Sequence, residues 1–324
     1  MSSFTQSNVD WSTSIKKEGY PGVVTLKTKS KDSEVPMTCE IHQWGATVVS
    51  WKVGEEEQIF VSNQALYDGK KAIRGGIPVV FPQFGRPDES MAQHGFARTS
   101  TWNFDGVNIS EHVNKPSSIT AVFLLQHSAE TLKVWPHQFH LEYLVTLSGN
   151  SMSTSLVMKN IGSEPFDCQA LLHTYLQAEA IENVRIGGFE NVPFIEKVGE
   201  KSNHGPREAE HIALKTIPYE VDRIYTPSIA RNPNDEDKTV VVDMLEGSRK
   251  VVVSSCASKT VGGVVQSIVP DCVLWNLWVD KAMAMGDMQD DAYLKYVCIE
   301  PGLVEKPHTV APGDVLTLTQ TLTK

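Results

Sequence analysis

The sequence predicts an all-β protein, a large antiparallel β-sandwich with few short helices. Three observations predict it. Segments with apolar residues at every second position recur along the chain, and a pleated strand turns alternate side chains to opposite faces. Stretches with the three-to-four-residue spacing of an amphipathic helix are scarce. Gly, Pro, Asn and Asp separate the alternating segments, as short antiparallel connections require.

Taken in order, strands are expected over 22–28, 37–42, 46–53 and 57–62. The alternation is strongest over Ile119–Gln126, Phe139–Thr146 and Ser151–Met158, and Gly149-Asn150 between the last two is a hairpin-turn signal. Further strands are expected over 166–176, 237–244, 249–254, 262–268, 272–279, 295–300 and 314–322. A short helix is expected over 207–213, and helical turns near 128–134 and 281–288. The segment 227–237, PSIARNPNDED, reads as an exposed loop. No Ser/Gly/Pro linker or shift in composition divides the chain, so one domain is expected over residues 1–324, with 1–18 as a peripheral extension.

With 41% hydrophobic residues the chain can build its core without disulfides or metal. A net charge of -10 argues against a nucleic-acid binder, which normally carries a basic face. The five cysteines are odd in number and show no CxxC spacing. Cys168, Cys272 and Cys298 lie in apolar runs, where cysteine behaves as a small buried hydrophobe, and this usage fits a reducing compartment. Neither a signal-peptide core nor a membrane-length apolar window is present, so a cytoplasmic monomer without a membrane partner is expected.

The segment Arg74–Arg98, RGGIPVVFPQFGRPDESMAQHGFAR, stands apart. Glycine lets backbone approach a ligand closely, and proline sets the direction of a loop. Arginine offers a rigid fork of donors that matches phosphate or carboxylate oxygens. Three arginines flanking Gly75-Gly76 and His94-Gly95 favour an anion site over a merely solvated excursion. Four other pieces carry chemistry: LLHTYL around His173, VDRIY around Asp222, WNLWVDKA with Trp278 and Lys281, and CIEPG, where Glu300 ends an apolar strand before a Pro-Gly turn. Singly, each has an ordinary structural explanation.

Together, in this order, RGGIPVVFPQFG, QHGFAR, LHTYL, VDRIY, WNLWVDKA and CIEPG resemble the galactose-mutarotase superfamily, and more closely its hexose-6-phosphate branch. The resemblance runs from about residue 20 to the C-terminus and implies the galactose mutarotase-like supersandwich. It implies His173 as general acid and Glu300 as general base, with Gln83, His94 and Asp222 holding sugar hydroxyls. Arg74 and Arg98 would hold the phosphate, and Arg86, Trp278, Lys281 and Asp287 are further candidates. The implied reaction is the interconversion of α and β anomers of glucose-6-phosphate, with no cofactor and no metal. Ring opening takes a proton from the C1 hydroxyl and delivers one to the ring oxygen, which a glutamate and a histidine can do in concert. A free-sugar aldose 1-epimerase and a non-catalytic sugar-phosphate sensor remain alternatives. A glycoside hydrolase would want two carboxylates, and a metal hydrolase would want a local ligand spacing such as HExxH.

Overall fold

The strands that alternate most clearly in sequence alternate in burial. Along Phe139–Ser148, Phe139, Leu141, Tyr143, Val145 and Leu147 are buried while the residues between them are half-buried. In the computed structural model, residues 9–14, 21–28, 35–110, 117–198, 203–204, 212–214, 219–226, 238–243 and 249–324 are described. Three antiparallel sheets contain most of them, and only two α-helices occur among the described residues.

A five-stranded sheet runs in chain order from Val9–Ser14 through Val23–Thr28, Met37–His42 and Thr47–Val53 to Glu56–Glu57. A ten-stranded sheet centres on Lys250–Val261, Val315–Thr323, Ser151–Asn160, Phe139–Ser148 and Ser118–Gln126. An eight-stranded sheet centres on Val221–Tyr225, Asp271–Asn276, Tyr296–Val310 and Phe166–Leu172. Side chains of all three meet in one buried cluster, which includes Leu26 and Ile41, Leu156 and Leu318, and Leu274 and Ile299. Burying such side chains contributes about 1.5–3 kcal/mol each.

The eight-stranded sheet positions the candidate site residues, because its two faces differ. Val297 and Ile299 point into the main core, whereas Cys298 packs in a second cluster with Tyr175 and Tyr296. Cys272 and Leu274 likewise face the core, and Val273 and Trp275 belong to a separate small cluster on the other side. Strand alternation therefore turns Glu300, Trp275 and Asp222 outward together, away from the ten-stranded sheet.

Several expectations are corrected. Pro301-Gly302 does not turn the chain: Tyr296–Val310 is one 15-residue strand, and Pro301 pairs with Cys272 while Gly302 pairs with Asp271. The strand expected over 57–62 is mostly irregular, because the chain passes between partners: Glu57 pairs with Lys52, Ile59 with Leu176 and Val61 with Gly75. The run 166–176 breaks at His173-Thr174, and Tyr175–Gln177 resumes farther along the same long strand. Asp271–Asn276 stops where Asn276 donates to the carbonyls of Tyr293 and Tyr296, and Trp278–Ala284 is helix rather than strand.

The helical turn expected near 128–134 is a helix over Ala129–Val134, capped by Ser128. Within the stretch expected to be peripheral, Val9–Ser14 is an edge strand whose Trp11 packs on Phe104 at 5.7 Å. The helix expected at 207–213 falls outside the described residues except for Ile212 and Ala213, which form a short strand. The loop expected at 227–237 also lies outside them. Cys39, Cys168, Cys272 and Cys298 are buried and Cys256 is exposed.

Gly76 holds the Arg74 segment against the first sheet. Its amide donates to the Phe60 carbonyl at 2.7 Å, and Ile77 donates to Val48 at 2.9 Å. With φ at +76°, a Cβ at this position would stand 2.3 Å from the Val48 carbonyl oxygen. Gly76→Ala is expected to lose about 1–3 kcal/mol from backbone strain alone, read as a lower midpoint in chemical denaturation. A midpoint equal to wild type would mean that the segment shifts without strain.

Candidate active site

Glu300 is the deepest of the outward-facing charged residues, only 1% exposed. Its strand pairs on one side with Val273, and the neighbouring Ile299 amide donates to the Thr174 carbonyl on the other. Burial raises the Glu300 pKa well above the ordinary carboxylate value, and the charge of Asp222 adds to the rise. His173 reaches the same point from the break after Phe166–Leu172, its own amide donating to the Pro78 carbonyl at 3.1 Å. Burial, then Arg98 and Arg74, push its imidazole well below the ordinary histidine value.

His173 Nδ1 and Glu300 Oε1 lie 3.2 Å apart. Both atoms are buried, and neither has an aligned hydrogen bond among the described residues. The imidazole stacks on Tyr175, with ring centroids 4.8 Å apart and planes 13° from parallel, and Trp275 meets it edge-on at 5.5 Å. These contacts fix the ring plane at the cavity wall.

That cavity has a volume of about 380 Å³. Of the residues expected to form a site, it is lined by Arg74, His94, Arg98, His173, Asp222, Lys281 and Glu300. Arg74 grips Asp287 through two hydrogen bonds of 3.2 Å each. Although burial acts the other way, Tyr175 and this carboxylate raise the Arg74 pKa. Asp287 therefore serves the cavity from behind, as the partner of Arg74. Lys281 is likewise tied to Glu220, at 2.5 Å.

Arg98 differs. Its guanidinium donates to the Gln93 carbonyl at 2.8 Å and forms no salt bridge among the described residues. Burial, with Arg74 nearby, pushes its pKa down to about 10, so it stays a cation at neutral pH. Asp222 also faces the cavity, and burial raises its pKa to about 6.

His94 sits at φ +67° between Gly85 and Gly95. Its amide donates to the Gly85 carbonyl at 2.7 Å, and the Gly85 amide donates back to His94 Nδ1 at 3.2 Å. An accepting Nδ1 assigns the neutral tautomer with hydrogen on Nε2, which stands 3.3 Å from the side-chain amide of Gln93, another residue of the cavity wall. Burial and the surrounding cations hold the His94 pKa well below its ordinary value, in keeping with that neutral form.

Three expected residues are placed elsewhere. Gln83 does not line the cavity: its side-chain amide donates to the carbonyls of Asp88 and Ala92 and accepts from the Asp88 amide, which shapes the loop that carries His94. Arg86 lies on the surface and donates to the Glu89 carbonyl. Trp278 opens the short helix and packs on Tyr293 at 5.1 Å. The cavity also includes Tyr175, Lys197 and Trp275, which were not expected as site residues. Tyr175 and Trp275 lie inside the LHTYL and WNLWVDKA motifs, two residues from His173 and three from Trp278, on the cavity face. Lys197, in the polar stretch IEKVGE, carries no signal in the sequence.

A β-supersandwich with a buried Glu–His pair at the mouth side of one sheet defines a class, and sequence comparison agrees with it. Residues 30–323 match the aldose 1-epimerase family, and the chain belongs to that family. A Cenchrus ciliaris protein provisionally named glucose-6-phosphate 1-epimerase is 33% identical over 279 residues, covering 85% of this chain and 78% of its own. An Escherichia coli K12 protein with the same provisional name is 28% identical over 280 residues, covering 86% and 84%. In fold, the chain resembles a Salmonella typhimurium protein provisionally described as a mutarotase, with a TM-score of 0.74 at 24% identity over 96% of this chain and 92% of the other. It also resembles a galactose mutarotase-like protein from Clostridium acetobutylicum, with a TM-score of 0.69 at 14% identity over 97% and 98% of the two chains. No helix among the described residues is long and apolar enough to cross a membrane.

The raised Glu300 pKa has a consequence for stability. Below pH 4.5 the carboxyl is protonated whether the chain is folded or not. As pH rises past that value the unfolded chain releases the proton while the folded one retains it, so stability falls until the folded pKa is passed. Glu300→Gln removes this burden and is expected to stabilise the protein on the order of 1–3 kcal/mol near neutrality. Thermal unfolding across pH checks it: the gain should shrink toward acid. A variant less stable than wild type at every pH would contradict it.

Proposed function

We propose that this protein is a hexose-6-phosphate 1-epimerase that interconverts the α and β anomers of glucose-6-phosphate. The observation that carries the reading is the buried His173–Glu300 contact of 3.2 Å in a cavity that also holds the Arg98 cation, which has no salt bridge among the described residues. Family membership and the provisional names of the relatives support the same reaction.

Ring opening removes the C1 hydroxyl proton and protonates the ring oxygen. Glu300 is suited to accept the first proton, since a carboxylate desolvated by burial is a stronger base than one in water. His173 is suited to supply the second and to take it back on closure. The C1–C2 bond of the open chain rotates, the ring closes on the other face, and the two groups exchange roles. Burial raises the Glu300 pKa and lowers that of His173, so each group is driven toward its neutral form until substrate enters. The form that starts the reaction has the proton on His173 and Glu300 as carboxylate, two groups whose facing atoms stand 3.2 Å apart.

Sugar hydroxyls have three candidate partners. His94 can donate from Nε2, Asp222 can accept, and Arg74 offers the remaining donors of a guanidinium already neutralised by Asp287. Arg98 is the arginine available to the phosphate, and a neutral C6 hydroxyl would leave it without a counter-charge. A single domain spanning residues 1–324 and a cytoplasmic monomer belong to the same proposal.

Exchange between the two anomers, followed by NMR magnetisation transfer, tests the reading. Glucose-6-phosphate is expected to exchange faster with the protein than without it, and free glucose or galactose far less so. Acceleration of the free sugars alone would move the protein to the free-sugar epimerases, and binding of glucose-6-phosphate without acceleration would favour a sensor. Glu300→Gln and His173→Asn should each slow exchange by about 10²–10⁴-fold. The pH profile of kcat/KM is expected to be a broad bell that includes neutrality. Activity falls in acid where both groups hold protons, and in alkali where neither does. A profile rising monotonically through this range would contradict the pairing.

A further inference from the structure

The cavity presents four cationic side chains, Arg74, Arg98, Lys197 and Lys281, but they are not equally available to an anion. Arg74 is neutralised by two hydrogen bonds to Asp287, and Lys281 by Glu220. Arg98 and Lys197 have no salt bridge among the described residues. Lys197 stands where Phe194–Glu196 leaves the eight-stranded sheet, and its backbone amide donates to the Asp222 carbonyl at 2.9 Å. Its Nζ lies 5.6 Å from the centroid of the Phe84 ring, a cavity wall whose ring is in turn 5.2 Å from His94.

We propose that Lys197 and Arg98 together form the seat for the phosphate of the substrate, with Lys197 setting the preference for a phosphorylated hexose. The proposal rests on the epimerase reading above and moves the second positive charge from Arg74, where the resemblance put it, to Lys197. A phosphate ester carries about −1.5 to −2 charges at neutral pH, a demand that one guanidinium does not balance. The ion pair Arg74–Asp287 brings no net charge, whereas Lys197 brings a full one.

The placement also suits the chemistry. The cations that shift His173 are Arg98 and Arg74, and the one that shifts Glu300 is Arg98; Lys197 acts on His94 and Asp222. Lys197 thus belongs to the rim beside His94 and Asp222, whereas Arg98 also acts on the reacting pair. The lysine is exposed, as a side chain that meets an entering anion should be, and its replacement leaves the core intact.

Three proteins are compared: wild type, Lys197→Met and Lys197→Arg. Inorganic phosphate serves as a competitive inhibitor, and glucose-6-phosphate as substrate. Loss of one charge-assisted contact predicts phosphate inhibition weakened by roughly 10- to 100-fold in Lys197→Met. KM for glucose-6-phosphate should rise by a similar factor, with a much smaller change in kcat, and Lys197→Arg should recover most of both. A Lys197→Met variant that binds phosphate as wild type does, or that loses kcat with KM unchanged, overturns the seat. The two readings fail separately. Accelerated exchange with Lys197-independent phosphate inhibition removes the seat and keeps the epimerase. Lys197-dependent phosphate binding, read by thermal shift, in a protein that accelerates no exchange removes the epimerase and keeps the seat.

Discussion

The cavity depends on a single constraint: a carboxylate is held in the middle of a long central strand, out of water. Were Tyr296–Val310 to end at Pro301, Glu300 would lie at a sheet edge with an ordinary carboxylate's affinity for protons. Because the strand continues through the sheet, the side chain projects from its middle, is covered by its neighbours and meets only the cavity. Desolvation then raises its basicity, which is the property a proton abstractor needs and also a cost to the fold. Such tension between stability and activity is expected where a buried group does chemistry.

The neighbours of Glu300 make that burial usable. His173 approaches from a break between two strand segments, so its imidazole is free to stand beside the carboxylate instead of repeating the ladder. Tyr175 and Trp275 hold the ring plane with apolar surface, which orients it without competing for its protons. Positive charge is graded across the site. Arg74 and Lys281 are locked to carboxylates, while Arg98 retains its charge close to His173 and Glu300. The glycine-rich segment delivers two of these groups through backbone conformations that side chains disfavour, including φ +76° at Gly76 and +67° at His94 itself.

Much of this was legible because alternation along a strand is a local property. The sandwich, its principal strands and the hairpin at Gly149-Asn150 follow from period-two patterning and turn chemistry. The ordered motifs pointed to His173, Glu300, Arg98, His94 and Asp222, all of which line one cavity. Less was legible where a side chain's partner is distant in sequence. Gln83 resembles a ligand in a motif, yet its amide is committed to the loop that ends at His94. Asp287 lies 213 residues from the arginine it neutralises, and nothing local announces the pair. Lys197 reads as one more surface lysine until Phe84, Asp222 and His94 are gathered around it.

The sequence by itself determined the fold class and the chemical types brought to the site, because both are written in short-range patterns of apolarity, glycine and charge. Only the tertiary structure decided which charges are free and which are cancelled, and that a Pro-Gly pair continues a strand instead of ending it. The physical reason is the same in both cases. Burial and pairing depend on what the rest of the chain sets against a residue, and the decisive partners here stand tens to hundreds of positions away.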